Sequence, residues 1–554
     1  MYFRNTVRLM SVLALGATVF TAACREEPLS VENPNQPDVA KVFGTPRDVE
    51  TIISKLFQQM YNGQLGNPDD IFTQTITMSF ESHSQLGNFG MGTRAAIPRS
   101  PIDNSIGNNV SIGNFRDFDF LSRNARGAAN AIAAFNAFSD AGLSAGSPAR
   151  DARAKSFAFF TLGYALGNLA LFYDSAAIID AKVAQDNSIP EYSVASAVMT
   201  AALGDLDSAI NIATSAAATT GTGGFPIPIE WLSQTTPMSR DDFVRLLRSY
   251  KAKFRAGVGR TPTERAAADW AAIIADATNG ITSDFIIQTN ATTGWSGAVV
   301  NQMATSSGWS QMTPFILGMA DTAGSYDAWL ALPLANRAPF LLRTPDKRFP
   351  AGADRATQTA VTGTGRGGTP AGSILYFRNR PPGEDTPAEP WGTWWYDNWR
   401  SWAIRANGQN GPYVMFALVE NDMLAAEGYI KAGNFAAAIP LINKSRTRAG
   451  LPAITVINSL TDVVPGGSAC VPRVPQPPNY TTTACGNIFE AMKWEKRLET
   501  SMIGYGQWFI DSRGWGDLTQ GTALEWPVPY QELFARTKPS YTTSATAVKG
   551  TYGF

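Results

Sequence analysis

The chain is 554 residues long, with a formal charge of −1, 44% hydrophobic residues and a single histidine, His83. Without clustered Lys and Arg to displace counterions, nucleic acid is not expected as a partner. One histidine cannot supply a two-histidine zinc motif, and no Cys/His cluster, Walker loop or nucleophile elbow occurs, so neither a metal nor a cofactor is expected.

At the N-terminus, Arg4 and Arg8 precede the apolar run "LMSVLALGATVF" (9–20), which is too short to span a bilayer. Small residues then lead to Cys24. This is the layout of a signal peptide over 1–23, with Cys24 as the lipidated first residue of the mature chain. Residues 24–45 read as a polar, proline-rich tether, and "CREE" has the basic-then-acidic character of a surface-export tag. No later stretch has the roughly eighteen uninterrupted apolar residues that a membrane span requires.

From 46 to 554 the chain reads as one domain, mainly α, in three parts. Residues 46–284 carry helical periodicity, most clearly at 152–174, 194–217, 240–259 and 269–277. Residues 285–411 are rich in Gly, Pro, Thr and Trp, without sustained periodicity. So long an irregular stretch inside a compact protein points to function. Residues 412–554 form the second helical part. It opens with a predicted helix pair over 412–451 that turns at "AGN" (432–434), in the manner of a tetratricopeptide unit. Cys470 and Cys485 bracket a loop-like segment and are the pair left to form a disulfide in an exported protein.

The densest aromatic stretch is "WGTWWYDNWRSW" (391–402). Trp391, Trp395, Trp399 and Trp402 would form one stripe on a helix and pack on the scaffold, but Gly392 disfavours that helix, and one face cannot bury every ring. Some ring is therefore expected to line a cleft. Asp397, Asn398 and Arg400, interleaved with Trp391, Trp394, Trp395, Tyr396 and Trp399, make the ring-plus-polar mixture that stacks and hydrogen-bonds a sugar. Trp309 and Trp329, with Trp295, are further candidates in the irregular part. Carboxylates at Asp241, Asp242, Glu420, Asp422 and Glu427 keep a two-acid glycoside hydrolase open as an alternative. The glycine-rich "GTGRGG" (363–368) reads as a surface loop.

Four stretches in this order resemble the SusD/RagB family of outer-membrane nutrient-binding lipoproteins. They are "CREEPLSVENPNQPD", "ARAKSFAFFTLGYALGNLALFYDSAAII", "NDMLAAEGYIKAGNFAAAIPLINKSRTRAGLP", and "WEKRLETSMIGYGQWFIDSRGWGDL" followed by "EWPVPYQEL". The last departs from the family pattern at Ile503-Gly504, where Glu-Gly is usual, and at Gly506 or Gln507, where Arg is common. The resemblance implies a SusD-like fold of tetratricopeptide-like helix pairs with an irregular, loop-rich ligand-binding region. It implies a lipid-anchored protein of the outer membrane that faces outward. It further implies capture of an oligosaccharide, or a peptide in other members, for a SusC-like TonB-dependent transporter, without catalysis. The family motif residues Glu427, Asn443, Arg446, Arg448 and Asp511 are expected to hold helices together. A chain that serves only as a structural partner of the transporter is the remaining alternative.

Overall fold

Long helices with buried faces follow one another along the chain, and most are laid against their predecessor. The computed structural model describes residues 43–84, 86–220, 223–300, 309, 311–362, 374–384 and 394–554. The signal peptide, Cys24, almost all of the tether, the "GTGRGG" loop and Trp391 lie outside them. The long helices are α1 (Pro46–Leu65), α2 (Ile112–Asp140), α3 (Pro148–Phe172), α4 (Ala195–Thr214), α5 (Arg240–Gly257), α6 (Trp270–Thr278), α7 (Leu418–Lys431), α8 (Phe435–Arg448), α9 (Ile488–Glu499) and α10 (Gln507–Trp515). Helices α1 to α8 pack in sequence order, and α9 rests on α7. Among the described residues no helix is long and apolar enough to cross a membrane.

Local chemistry sets the helix ends. Ser147 Oγ accepts the Arg150 N–H at 3.1 Å, and Pro148 occupies the first turn of α3, where its missing N–H costs nothing. Ser239 caps α5 in the same way. Between α7 and α8, Gly433 takes φ +72° and Asn434 Oδ1 accepts the Ala437 N–H, which is the turn expected at 432–434. Helix α3 is buried on all sides from Phe160 to Phe172, so it is the central rod. Its glycines allow that position. A Cβ on Gly167 would lie 2.1 Å from the Phe254 ring of α5, and one on Gly163 would lie 2.8 Å from the Ala202 carbonyl of α4.

The irregular part is inserted between α6 and α7 and closed at its base by a strand pair. β1 (Phe285–Thr289) runs antiparallel to β4 (Gly411–Phe416), from Phe285↔Phe416 to Thr289↔Gly411. Residues 412–416, expected to be helical, are therefore strand. The β-branched and aromatic run "YVMF" pairs with the equally strand-prone "FIIQT", and this tertiary pairing overrides the helical reading. Within the insert, β2 (Phe377–Asn379) pairs with β3 (Tyr396–Asn398).

Buried ion pairs fasten the insert and α10 to the helices. Arg348, from the insert, meets Asp346 at 2.7 Å, Glu495 at 2.8 Å and Glu499 at 3.3 Å, the last two on α9. Arg265 grips Glu427 of α7 through two hydrogen bonds and reaches Asp511 of α10 at 3.0 Å, while Lys496 of α9 takes the same aspartate at 2.9 Å. Asn443 exchanges hydrogen bonds with the Ile454 backbone, Arg446 donates to the Pro452 and Val471 carbonyls, and Arg448 pairs with Glu499. Glu427, Asp511 and Arg448 thus join elements distant in sequence, whereas Asn443 and Arg446 fasten the segment that follows α8. Cys470 and Cys485 form a disulfide with Cα atoms 5.7 Å apart. The segment they bracket is more regular than its composition suggests: Arg473–Pro475 and Thr483–Cys485 pair as short antiparallel strands.

Candidate ligand-binding site

The described part of the tryptophan-rich stretch, residues 394–402, is a foundation rather than a surface. Its central residues form β3, whose side chains alternate between two faces, and both faces are covered. Trp394 is fully buried. Its Nε1 donates to the Phe340 carbonyl at 2.6 Å, and its ring meets Tyr396 edge-on at 4.7 Å. The buried Tyr396 hydroxyl donates to Gln358 Oε1 at 2.6 Å and accepts the Leu342 N–H. Asp397 is held by Arg378 and Arg380, each at 2.9 Å. The Arg378 guanidinium then lies over the rings of Trp399 and Trp402, at 4.8 and 5.1 Å from their centroids. Asn398 bonds Ser501 and the Arg400 N–H, and Arg400 donates to the Glu499 carbonyl while stacking on Tyr376.

These contacts correct the expectation that Trp394, Tyr396, Asp397, Asn398 and Trp399 face a ligand: their rings and polar atoms are already occupied by protein. No helical stripe forms either, because the chain is strand at 396–398 and becomes helical only at Trp402–Ala406. Trp329 is buried between Tyr326, Phe315 and Arg337, and Trp295 packs on Phe57 and Tyr61 of α1. Trp395 is half-buried, with the Arg355 guanidinium 4.8 Å over its ring.

Trp309 is half-buried as well, and its partner is a ring rather than a guanidinium: its indole stacks on Phe89 with centroids 5.3 Å apart and planes 18° from parallel. Phe89 is itself half-buried and sits in a 3-10 turn (Asn88–Gly90) at φ +56°. That left-handed conformation costs a non-glycine residue roughly 1–2 kcal/mol. Phe80, nine positions earlier, is also left-handed at φ +58°, and its ring lies flat on Phe315 at 4.0 Å. Both phenylalanines of this short segment place their rings against rings of the insert.

The two segments are fastened together behind the rings. His83 and Gln311 exchange backbone hydrogen bonds of 2.7 and 2.8 Å, and the Met312 N–H donates to the Tyr396 carbonyl at 3.2 Å. The aromatic foundation thus holds Met312, three residues after Trp309. His83 is buried. Burial, and then the nearby Arg99, push its imidazole down to about 4, so it is neutral at pH 7 and its role is in the backbone bridge. Trp309 was visible in the sequence as one of several aromatic candidates. Phe89 was not, since "GNFGMG" signals a turn but not the direction of the ring.

The carboxylates considered for hydrolysis are engaged elsewhere. Asp241 pairs with Arg240 and Asp242 with Arg245 at the start of α5. Glu420 pairs with Lys253, Asp422 with Lys444 and Glu427 with Arg265, all within the helical scaffold.

No protein-family model matches the sequence, and no curated protein matches it. Solved structures do match in fold. One is a SusD superfamily protein from Parabacteroides distasonis ATCC 8503, with TM-score 0.55, 10% identity, and coverage of 90% of this chain and 98% of that one. Another is a SusD superfamily protein from Bacteroides vulgatus ATCC 8482, with TM-score 0.51, 12% identity, and coverage of 89% and 90%. Over the described residues this chain has the fold of these SusD superfamily structures, mainly α, with helices α1 to α8 packed in sequence order.

Proposed function

We propose that this protein is a SusD/RagB-type nutrient-binding lipoprotein. In this reading it is anchored through Cys24 in the outer membrane, faces outward, and presents captured oligosaccharide to a SusC-like TonB-dependent transporter. The observation that supports the reading most directly is the Trp309–Phe89 stack. It is a half-exposed aromatic pair, with Phe89 on a left-handed turn, and the two segments are joined by the His83–Gln311 backbone hydrogen bonds. A sugar ring offers a flat C–H face to such a pair, and rigid aromatic rings lose little conformational entropy on binding.

Capture of this kind requires no acid, base or nucleophile. The carboxylates that would support a hydrolase reading are committed to ion pairs. A peptide with aromatic side chains is the competing ligand class, since it stacks on the same rings. Calorimetric titration with neutral oligosaccharides and with peptides tests the reading. It predicts saturable binding of a sugar, no cleavage products, and loss of that binding in Trp309→Ala. Turnover of any oligosaccharide by the purified chain would overturn it, as would binding that Trp309→Ala leaves unchanged.

A further inference from the structure

Between α1 and α2 the chain forms a short helix, Ile71–Met78, that packs on the turn carrying Phe89 and on the Met91–Ala95 helix beyond it. Buried carboxylates hold this short helix at both ends. At its start, Asp70 Oδ1 accepts the Thr73 N–H at 2.7 Å, and Asp117 Oδ2, from α2, accepts the Ile71 N–H at 2.9 Å. The Tyr505 hydroxyl donates to the other oxygen of Asp117. Past the end of the helix, Glu81 accepts the Met502 N–H at 2.6 Å. Met502 and Tyr505 both belong to the loop between α9 and α10, so one loop is tied to both ends of the helix.

None of the three carboxylates is more than 2% exposed, and none makes an ion pair among the described residues. Two carboxylates on the first turn of one helix, out of water and without a paired cation, are costly to ionise together. Burial, and then Asp117, hold Asp70 well above the usual carboxylate range, and burial pushes Asp117 up as well. The Glu81 carboxyl is pushed by burial up to about 8. The surrounding groups do not offset this. Arg116 acts on the pair only through space, because its guanidinium donates to the Asn62 and Gly63 carbonyls, and it is shared with Asp69. Tyr164, Tyr173 and Tyr505 face Asp117, Tyr413 faces Glu81, and burial keeps all four hydroxyls protonated. His83, two residues from Glu81, is uncharged at neutral pH.

We propose that Asp70, Asp117 and Glu81 form a proton-operated clamp: protonated, they fix the short helix and the Phe89 turn to the α9–α10 loop, and ionised, they release that turn from Trp309. The proposal deepens the nutrient-binding reading, on which it rests, by giving the aromatic platform a pH window. When the segment opens, water reaches the carboxylates and they lose their protons above about pH 4. The closed segment keeps them. Closure is therefore fully favoured at low pH and is lost as pH rises through 8.

Hydrogen exchange read by mass spectrometry on the purified full chain tests the clamp without a ligand, so its failure leaves the nutrient-binding reading standing. Amides of residues 71–92, including the Asn88–Gly90 turn, are followed between pH 6 and pH 9 with rates corrected for intrinsic exchange. The central helix α3 is the internal control for global opening. Protection in 71–92 is expected to fall about a hundredfold relative to α3, because over roughly two pH units the closed segment keeps a proton that the open one has lost. Glu81→Gln and Asp117→Asn keep the acceptors and cannot ionise. Each should flatten part of the pH dependence, and the double variant should remove it. Parallel changes in 71–92 and α3 would overturn the proposal, since the carboxylates would then report only global unfolding. A pH dependence that survives in the double variant would overturn it too, and the wild-type comparison with α3 decides the matter should a variant fail to fold.

Discussion

Trp309→Ala and Trp394→Ala separate platform from foundation. In Trp309→Ala a half-exposed ring is removed, and the protein loses one stacking contact with Phe89, worth roughly 1 kcal/mol. In a domain of this size that shifts Tm by only about 1 °C. A bound sugar would lose the face on which it stacks, about 2 kcal/mol of apolar burial and ring contact, or roughly a thirtyfold rise in Kd. In Trp394→Ala the balance reverses. A fully buried indole leaves a cavity, costing about 3–5 kcal/mol, and the Phe340 carbonyl loses its 2.6 Å donor. Tm should fall by several degrees while affinity, measured below the transition, changes little. Differential scanning calorimetry and titration calorimetry on the same preparations give both numbers. The reasoning is refuted if Trp394→Ala weakens binding more than Trp309→Ala does, or if Trp309→Ala is the more destabilised protein.

Three further outcomes follow from the packing and charge. Gly167→Ala forces a methyl to within 2.1 Å of the Phe254 ring, so α3 and α5 must move apart; a loss of about 1–3 kcal/mol is expected in urea unfolding, and an unchanged midpoint would contradict the close approach. Cys485→Ser opens a loop with a sequence separation of 15, worth roughly 3 kcal/mol in the chain-entropy model, and hydrogen exchange in the adjoining α9 should accelerate in the variant. The Glu81 carboxyl, which accepts the Met502 N–H at 2.6 Å, is pushed by burial from 4.5 up to about 8. The folded protein therefore keeps a proton that the unfolded chain has released, so the stability from this site is complete below pH 4.5 and declines as pH rises toward 8. Glu81→Gln keeps the acceptor but cannot ionise; its Tm should exceed that of the wild type at pH 8.5, with the difference shrinking toward pH 4.5, and a constant difference across that range would disprove the assignment.

The helix pairs were legible because helix formation is a local matter. Ser147 and Pro148, Ser239, and the Gly433–Asn434 turn set helix ends within a few residues, and the apolar spacing of α5 picks out Phe243, Leu246, Leu247, Tyr250 and Phe254, all buried. The errors occurred where distant segments decide. Residues 412–416 are strand because Phe285–Thr289 lies alongside them. Arg378 covers Trp399, Phe340 and Gln358 hold Trp394 and Tyr396, and Ser501 meets Asn398. None of these partners can be assigned from the twelve residues of the tryptophan-rich stretch itself.

By itself, the sequence determined a helical scaffold, an inserted aromatic-rich region and a pair of cysteines, since periodicity, capping and composition act over neighbouring residues. Only the tertiary structure decided which aromatic rings meet solvent. Exposure of a ring depends on what packs over it, and here the covering groups come from far along the chain: Phe340 and Arg378 enclose Trp394 and Trp399, while Trp309 is left half-open on Phe89.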